Sequence, residues 1–273
     1  MNRWLRALLL VAGVWLILVG SFQLLLPGIF NWIGRFGFDS LTRAERTEQF
    51  LEDAGGLSRL QVEAMNGKIT LVGAETNQIE VEVTYRVDGV AGGSAEARLE
   101  RMQTRVEREG SELRIIADYG TRNPSNQSIN YYITLPRGLT TKASSMNGSI
   151  ESDGLAGHLD LFTMNGTVRA EAEQGPQTLR ARTTNGNIQV EIAAGAEDYD
   201  LQTTNGNVIV VLPPELGLEL QARTTNGSIE LGGGEWSLAG GKLSSKEVDA
   251  RRGDGSLRLV AKTTNGDVEI EEK

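Results

Sequence analysis

The chemistry open to this chain is bounded first by what it lacks. Its 273 residues contain one histidine, His158, and no cysteine. A Ser-His-acid or Cys-His nucleophile therefore has almost no material, zinc lacks its usual ligands, and disulfides are excluded. Clustered carboxylates along one sheet would suit a β-helix hydrolase or lyase, and Asp153, Asp160, Glu171 and Glu191 are the candidates. Acidic residues do not, however, recur in one column of the chain's repeat, so no catalytic residue, metal or cofactor is expected. The Arg-Gly-Asp within RRGDGS, Arg251 to Ser256, reads as turn chemistry around Gly-Asp-Gly. The sequons at Asn126, Asn147, Asn165 and Asn226 also fall where turns are expected.

One small group of residues does recur. Asn-Gly pairs stand at Asn66-Gly67, Asn147-Gly148, Asn165-Gly166, Asn185-Gly186, Asn205-Gly206, Asn226-Gly227 and Asn265-Gly266, with gaps of 81, 18, 20, 20, 21 and 39 residues. The two long gaps are close to four and two periods of 20, which predicts degenerate units inside them. Glycine supplies positive φ, and Asn tolerates it better than other side chains. The pairs are therefore read as structural turns rather than ligand contacts, with Asn147, Asn165, Asn185, Asn205 and Asn226 able to stack as an amide ladder.

Around each pair the pattern has period two, which means strands. Three and five residues after Asn185 come Ile188 and Val190; two and six before it come Thr183 and Leu179. The other units repeat this, with Thr141 and Ser152 as polar exceptions. The expected fold is all-β, and two architectures fit. In an antiparallel β-meander each Asn-Gly is a type I′ hairpin turn; in a β-solenoid each coil of about 20 residues stacks on the next at about 4.8 Å. Recurrent identity at fixed positions favours the solenoid, because equivalent residues then lie over one another. One coil cannot stand alone: six apolar side chains at roughly 1.5–3 kcal/mol each do not offset the on the order of 20–40 kcal/mol needed to order 20 backbones. Removing an internal coil should therefore cost more than trimming the last.

Between 74 and 142 the repeat loosens into an elaboration of the same sheet. Strands are expected at Gln78–Val87, Ser111–Tyr119 and Ser128–Leu135, and a helix over Ala97–Val106 from the spacing of Leu99, Met102 and Val106. Ile209 and Val211 should point outward between Val208, Val210 and Leu212, with Phe162 on the same side. Docking of the 74–142 elaboration would cover them; a partner patch is the sharper alternative.

The amino terminus has a different character. Ala7 to Leu26 is uncharged, about the 20 residues a helix needs to cross a bilayer, with Trp4 and Trp32 on either side as interface residues. Arg3 and Arg6 would also suit a signal sequence, but no small-residue cleavage site follows. Residues 1–38 are therefore read as a membrane anchor. Residues 39–56 are read as a short juxtamembrane helix and linker, from a Thr42/Glu45 capping box and the Gly55-Gly56 stop. Residues 57–273 form the solenoid domain, placed outside the cytoplasm because only a few residues precede the span. A net charge of -9 and a pI near 4.9 argue against nucleic acid as a partner.

The recurrent Thr-x-Asn-Gly-x-[Ile/Val]-x-[Val/Ile/Leu] units, Thr183 to Val190, Thr203 to Val210, Thr224 to Leu231 and Thr263 to Ile270, resemble those of the bacterial putative-adhesin family of β-strand-repeat proteins, a domain of unknown function. The approach strand NQSINYYITLPRGL, Asn126 to Leu139, is similar to that family's as well. The resemblance covers about residues 57 to 273. It implies a right-handed β-helix-like solenoid in a secreted or membrane-tethered protein. The expected function is a non-enzymatic, membrane-anchored adhesion or binding protein of the cell envelope, engaging another protein, a surface polymer or itself. Envelope-stress sensing through the anchor is the second reading and a carbohydrate-active enzyme the third.

Overall fold

Side-chain alternation over short stretches, punctuated by Gly and Pro, yields twenty-one strands and one short helix in the computed structural model, which describes residues 43–89, 94–171, 176–193, 195–233 and 235–273. The chain divides into two units, Met1–Trp32 and Ile33–Lys273, and all the described residues belong to the second. The expected membrane span, Ala7–Leu26, lies outside the described residues. Among those described, no helix is long and apolar enough to cross a membrane.

In chain order the strands are β1 (Arg43–Asp53), β2 (Arg59–Asn66), β3 (Ile69–Ala74) and β4 (Gln78–Asp88). Helix α1 (Ser94–Leu99) follows, then β5 (Gln103–Glu109), β6 (Glu112–Asp118) and β7 (Gln127–Pro136). The repeat proper supplies β8 (Thr140–Asn147), β9 (Ile150–Asp153), β10 (His158–Asn165), β11 (Val168–Glu171), β12 (Thr178–Asn185), β13 (Ile188–Glu191), β14 (Asp198–Asn205) and β15 (Val208–Leu212). The last are β16 (Leu218–Asn226), β17 (Ile229–Leu231), β18 (Ser237–Leu243), β19 (Glu247–Arg252), β20 (Leu257–Asn265) and β21 (Val268–Glu272).

Each Asn-Gly pair turns the chain from one sheet into the other. Sheet A runs β1-β4-β7-β3-β9-β11-β13-β15-β21-β17 and sheet B runs β18-β19-β16-β20-β14-β12-β10-β8-β2-β6-β5. Repeat strands pair in parallel at matching positions, for example Leu159 beside Leu179 and Asn165 beside Asn185. The meander alternative is thereby overturned for the repeat: antiparallel pairing is confined to the flanks, at β1–β4, β4–β7, β5–β6, β16–β19 and β18–β19. Inward side chains of both sheets, among them Leu60, Ile69, Leu161, Val168, Leu201 and Val208, form one buried cluster. The polar exceptions also point inward: Thr141 is buried and donates to the Leu139 carbonyl at 3.0 Å, and Ser152 is buried on β9.

The order of the rungs departs from the order of the chain. Asn66 lies directly beside Asn147, so the gap of 81 inserts nothing between them; the chain departs through β4, α1 and β5 and returns as β6–β7, one degenerate rung without an Asn-Gly corner that pairs in parallel with β2 and β3 on their far side. At the other end β20–β21 slides between β14–β15 and β16–β17, pairing Asn265 with Asn205 and with Asn226. Asn205 and Asn226 are therefore not neighbours, and the gap of 39 is spanned by the β18–β19 hairpin.

Two local expectations fail for a common reason. Residues 43–53 are strand β1 rather than a juxtamembrane helix, because eleven residues pair with β4 along its whole length and that ladder outweighs one capping box. The helix expected over Ala97–Val106 is only α1, Ser94–Leu99; Val106 belongs to β5, which pairs with β6.

The swapped last rung reverses the expectation about trimming. Leu257, Leu259, Val268 and Ile270 are buried between neighbours on both sides, so deleting 257–273 forfeits roughly 1.5–3 kcal/mol for each, a sum comparable with the whole of a domain's net stability. The truncated chain should lose its cooperative thermal transition and become open to limited proteolysis.

Candidate functional site

The seven Asn side chains form one continuous, directional ladder. Asn226 Nδ2 donates to Asn265 Oδ1 at 2.8 Å, Asn265 to Asn205 at 2.7 Å, Asn205 to Asn185 at 2.7 Å and Asn185 to Asn165 at 2.7 Å. Asn165 then donates to Asn147 at 2.8 Å and Asn147 to Asn66 at 2.7 Å. Asn66 ends the run by donating to the carbonyls of Pro124 at 2.8 Å and Gln127 at 3.2 Å. Beside it the Tyr119 hydroxyl donates to the Asn66 carbonyl and accepts from the Asn66 N–H; burial pushes that phenol's pKa up.

The glycines are demanded by crowding. A Cβ on Gly186 would sit 2.1 Å from the Gly166 carbonyl oxygen, and one on Gly206 2.1 Å from that of Gly186; their φ values are +157° and +150°. The Gly carbonyls point at the threonines. Thr163 Oγ1 donates to Gly148 O, Thr183 to Gly166 O, Thr203 to Gly186 O, Thr263 to Gly206 O and Thr224 to Gly266 O, all at 2.8–2.9 Å. The last glycine carbonyl, Gly227 O, accepts instead from Lys246 Nζ. A second short ladder runs alongside: Asn187 Oδ1 accepts from Asn207 N–H at 2.9 Å, Asn207 Oδ1 from Asp267 N–H at 3.0 Å and Asp267 Oδ1 from Ser228 N–H at 2.6 Å. The Ser228 N–H and hydroxyl hold the Asp267 carboxyl below its ordinary range.

The proposed partner patch is not one surface. Phe162 projects from β10 on sheet B, whereas Ile209 and Val211 project from β15 on sheet A. Ile209 and Val211 are half-buried between Gln189 and Glu269 and between Glu191 and Glu271. Nor does the 74–142 elaboration cover them, since β3, β9, β11 and β13 lie between β7 and β15. Phe162 has different company: Met146 and Met164 beside it give an apolar area with 44%, 39% and, for Phe162, 40% exposure. Sequence reasoning misses the methionines because Thr occupies the same place before Asn in later units, and a single Met reads as core.

Next to this area the outer face of sheet B holds an open depression of about 710 Å³ lined by Phe162, Arg182, Gln202, Lys262, Arg223 and the run Thr184, Thr204, Thr264 and Thr225. Arg182 is 3.4 Å from Asp200, and Arg223 makes a bidentate contact with Asp249 at 2.9 and 3.0 Å. The Lys262 side chain is exposed and makes no hydrogen bond or ion pair among the described residues.

Sheet A is acidic outside. Asp153 and Glu171 are register partners, with Glu191 on the following strand, so acidic residues do share a column, contrary to the sequence reading; Asp160 lies on sheet B. Two of the three have partners, Glu171 with Arg169 and Glu191 with Lys273. Desolvation, then Glu230, raises the pKa of Glu269. His158 Nδ1 lies 2.7 Å from Thr178 Oγ1 on the surface. Arg252 of the Arg-Gly-Asp run is buried, donating to the Pro213 and Leu216 carbonyls. No group of metal-ligating side chains occurs among the described residues.

A family model described as Toastrack DUF4097 matches residues 54–271. Three solved structures are similar over 84% of this chain. A "putative cell adhesion protein" from Clostridium sporogenes ATCC 15579 is matched over 100% of its length, with 14% identity and a TM-score of 0.45. A "putative adhesin" from Bacteroides fragilis NCTC 9343 is matched over 97%, with 12% identity and a TM-score of 0.40. Another, from Parabacteroides merdae ATCC 43184, is matched over 96%, with 13% identity and a TM-score of 0.35. Comparison with curated proteins finds no match.

The corner geometry separates two substitutions. Gly186→Ala forces a clash between backbones and should cost more than about 3 kcal/mol, whereas Thr203→Val, which removes one hydroxyl donor, should cost about 1–2 kcal/mol; urea unfolding of both variants measures the difference. Asp267 generates a pH dependence. Its folded pKa lies below the unfolded value, so its contribution is complete above the ordinary Asp range and disappears as pH falls through the folded value. The stability gap between the wild type and Asp267→Ala should be widest near neutrality and narrow in acid.

Proposed function

The chain belongs to the Toastrack DUF4097 family, and from that premise we propose that it is a non-catalytic binding protein of the cell envelope, held at the membrane by Ala7–Leu26, whose ligand lies along the outer face of sheet B outside the cytoplasm. The observation that carries this reading is the depression on sheet B together with the exposed Phe162, Met146 and Met164 beside it. Exposed aromatic and methionine side chains rimmed by polar groups are what binding surfaces present. The depression crosses four rungs, each contributing one threonine hydroxyl at the β spacing of about 4.8 Å, which suits an elongated ligand better than a compact one. Its unpaired Lys262 favours a ligand with anionic groups, while the acidic outer face of sheet A repels one. A surface polymer or an extended segment of another envelope protein has these properties.

Retention of the full chain in detergent on isolated envelope polymer and on envelope proteins tests the proposal. Phe162→Asp combined with Lys262→Glu should weaken retention about tenfold with the unfolding temperature unchanged, and Ile209→Asp on sheet A should leave it intact. Loss with the sheet A variant and none with the sheet B pair would overturn it.

A further inference from the structure

A directional ladder has two unlike ends, and here they differ in what they leave unmade. Along the stack each Asn-Gly amide is held by the next rung: Gly67 N–H donates to Asn147 O, Gly148 to Asn165 O, Gly166 to Asn185 O, Gly186 to Asn205 O, Gly206 to Asn265 O and Gly266 to Asn226 O, at 2.9–3.0 Å. Gly227 belongs to the last rung, and its N–H has no acceptor among the described residues. The side chain before it is also held on one side only. Asn226 Nδ2 donates to Asn265 Oδ1, but Asn226 Oδ1 receives no donor among the described residues, whereas every other ladder Oδ1 accepts from a neighbouring amide.

The geometry points to Asn226 as a site of self-modification by deamidation, singled out from seven chemically similar Asn-Gly pairs by its place at the open end of the ladder. In this reaction the Gly227 backbone nitrogen, having lost its proton to base, attacks Asn226 Cγ. The new N–Cγ bond forms as the Cγ–Nδ2 bond breaks, and ammonia leaves with a proton from solvent. Water then opens the cyclic imide at either carbonyl, giving aspartate or isoaspartate at 226. The six inner pairs resist because their nucleophile is already engaged as a donor and is released only by local opening of two rungs. At Gly227 the neighbouring Lys246 ammonium, bound to the Gly227 carbonyl, further favours the amide anion that attacks. The product replaces a donor by a carboxylate facing Asn265 Oδ1, so the end rung loses its side-chain bond while the inner ladder stays intact.

Ageing the folded full chain in mildly alkaline buffer, followed by peptide mapping with isoaspartate detection, measures all seven sites together. Asn226 should react about tenfold faster than any inner site, the equivalent of one or two hydrogen bonds of protection, and Asn226→Gln should abolish the principal acidic species seen on isoelectric focusing. In urea the seven sites should react at comparable rates. Equal rates in the folded chain, a faster inner site, or the same preference for Asn226 in urea would each overturn the proposal.

Discussion

The fold depends on how closely successive rungs approach at the Asn-Gly corner. There the backbone of one rung passes so near the next that a methyl group on Gly148 would stand 1.9 Å from the carbonyl oxygen of Gly67. This proximity lets every other polar group at the corner find its counterpart directly above or below. The amide side chains bond one another, the threonine hydroxyls reach the glycine carbonyls, and the backbone ladder continues through the bend without a break. A buried or half-buried corner with unpaired amides would be costly, and repetition removes that cost at every position except the ends.

Much of this is legible in the sequence, because stacking makes a residue's partner its own equivalent. The inward set from Leu159 to Ile270 and the ladder itself follow from period-two patterning plus recurrence. At Thr183, Thr203, Thr224 and Thr263 recurrence argues only for a small side chain; the hydroxyl is the reason it is not Ala or Val. Rung order is not legible. Nothing local to Asn66 says that it lies beside Asn147, or that Asn265 comes before Asn226 in space, since equal units are interchangeable by their own chemistry. Order is set by the segments between rungs, β4 to β5 and the β18–β19 hairpin. Strand β1 escapes a sequence reading for a related reason: its partner β4 lies far along the chain, while the helical cue at Thr42 and Glu45 is local.

The surfaces are legible only in part. Alternation marks Phe162, Ile209 and Val211 as outward, but it cannot assign them to one sheet unless the bend between them is counted. Once counted, the two faces separate into an acidic one, with Glu151, Glu171, Glu191 and Glu269, and one with methionine, phenylalanine, threonine and unpaired lysine. The same backbone therefore offers two unlike exteriors, and the difference rests wholly on the residues that do not enter the core.

The interleaving of the last rung bears on how the molecule is made. β20 and β21 occupy a slot whose walls, β14–β15 and β16–β17, are both synthesised earlier, so growth from one end cannot complete the stack as the chain emerges from the ribosome. Until residue 265 is available, Asn205 and Asn226 have no common neighbour, and two parallel edges stand open to wrong closure on each other. Contacts of long sequence separation form slowly and leave edges exposed meanwhile. The stack thus closes by a late insertion, and its vulnerable interval lasts until Leu257–Glu272 arrives.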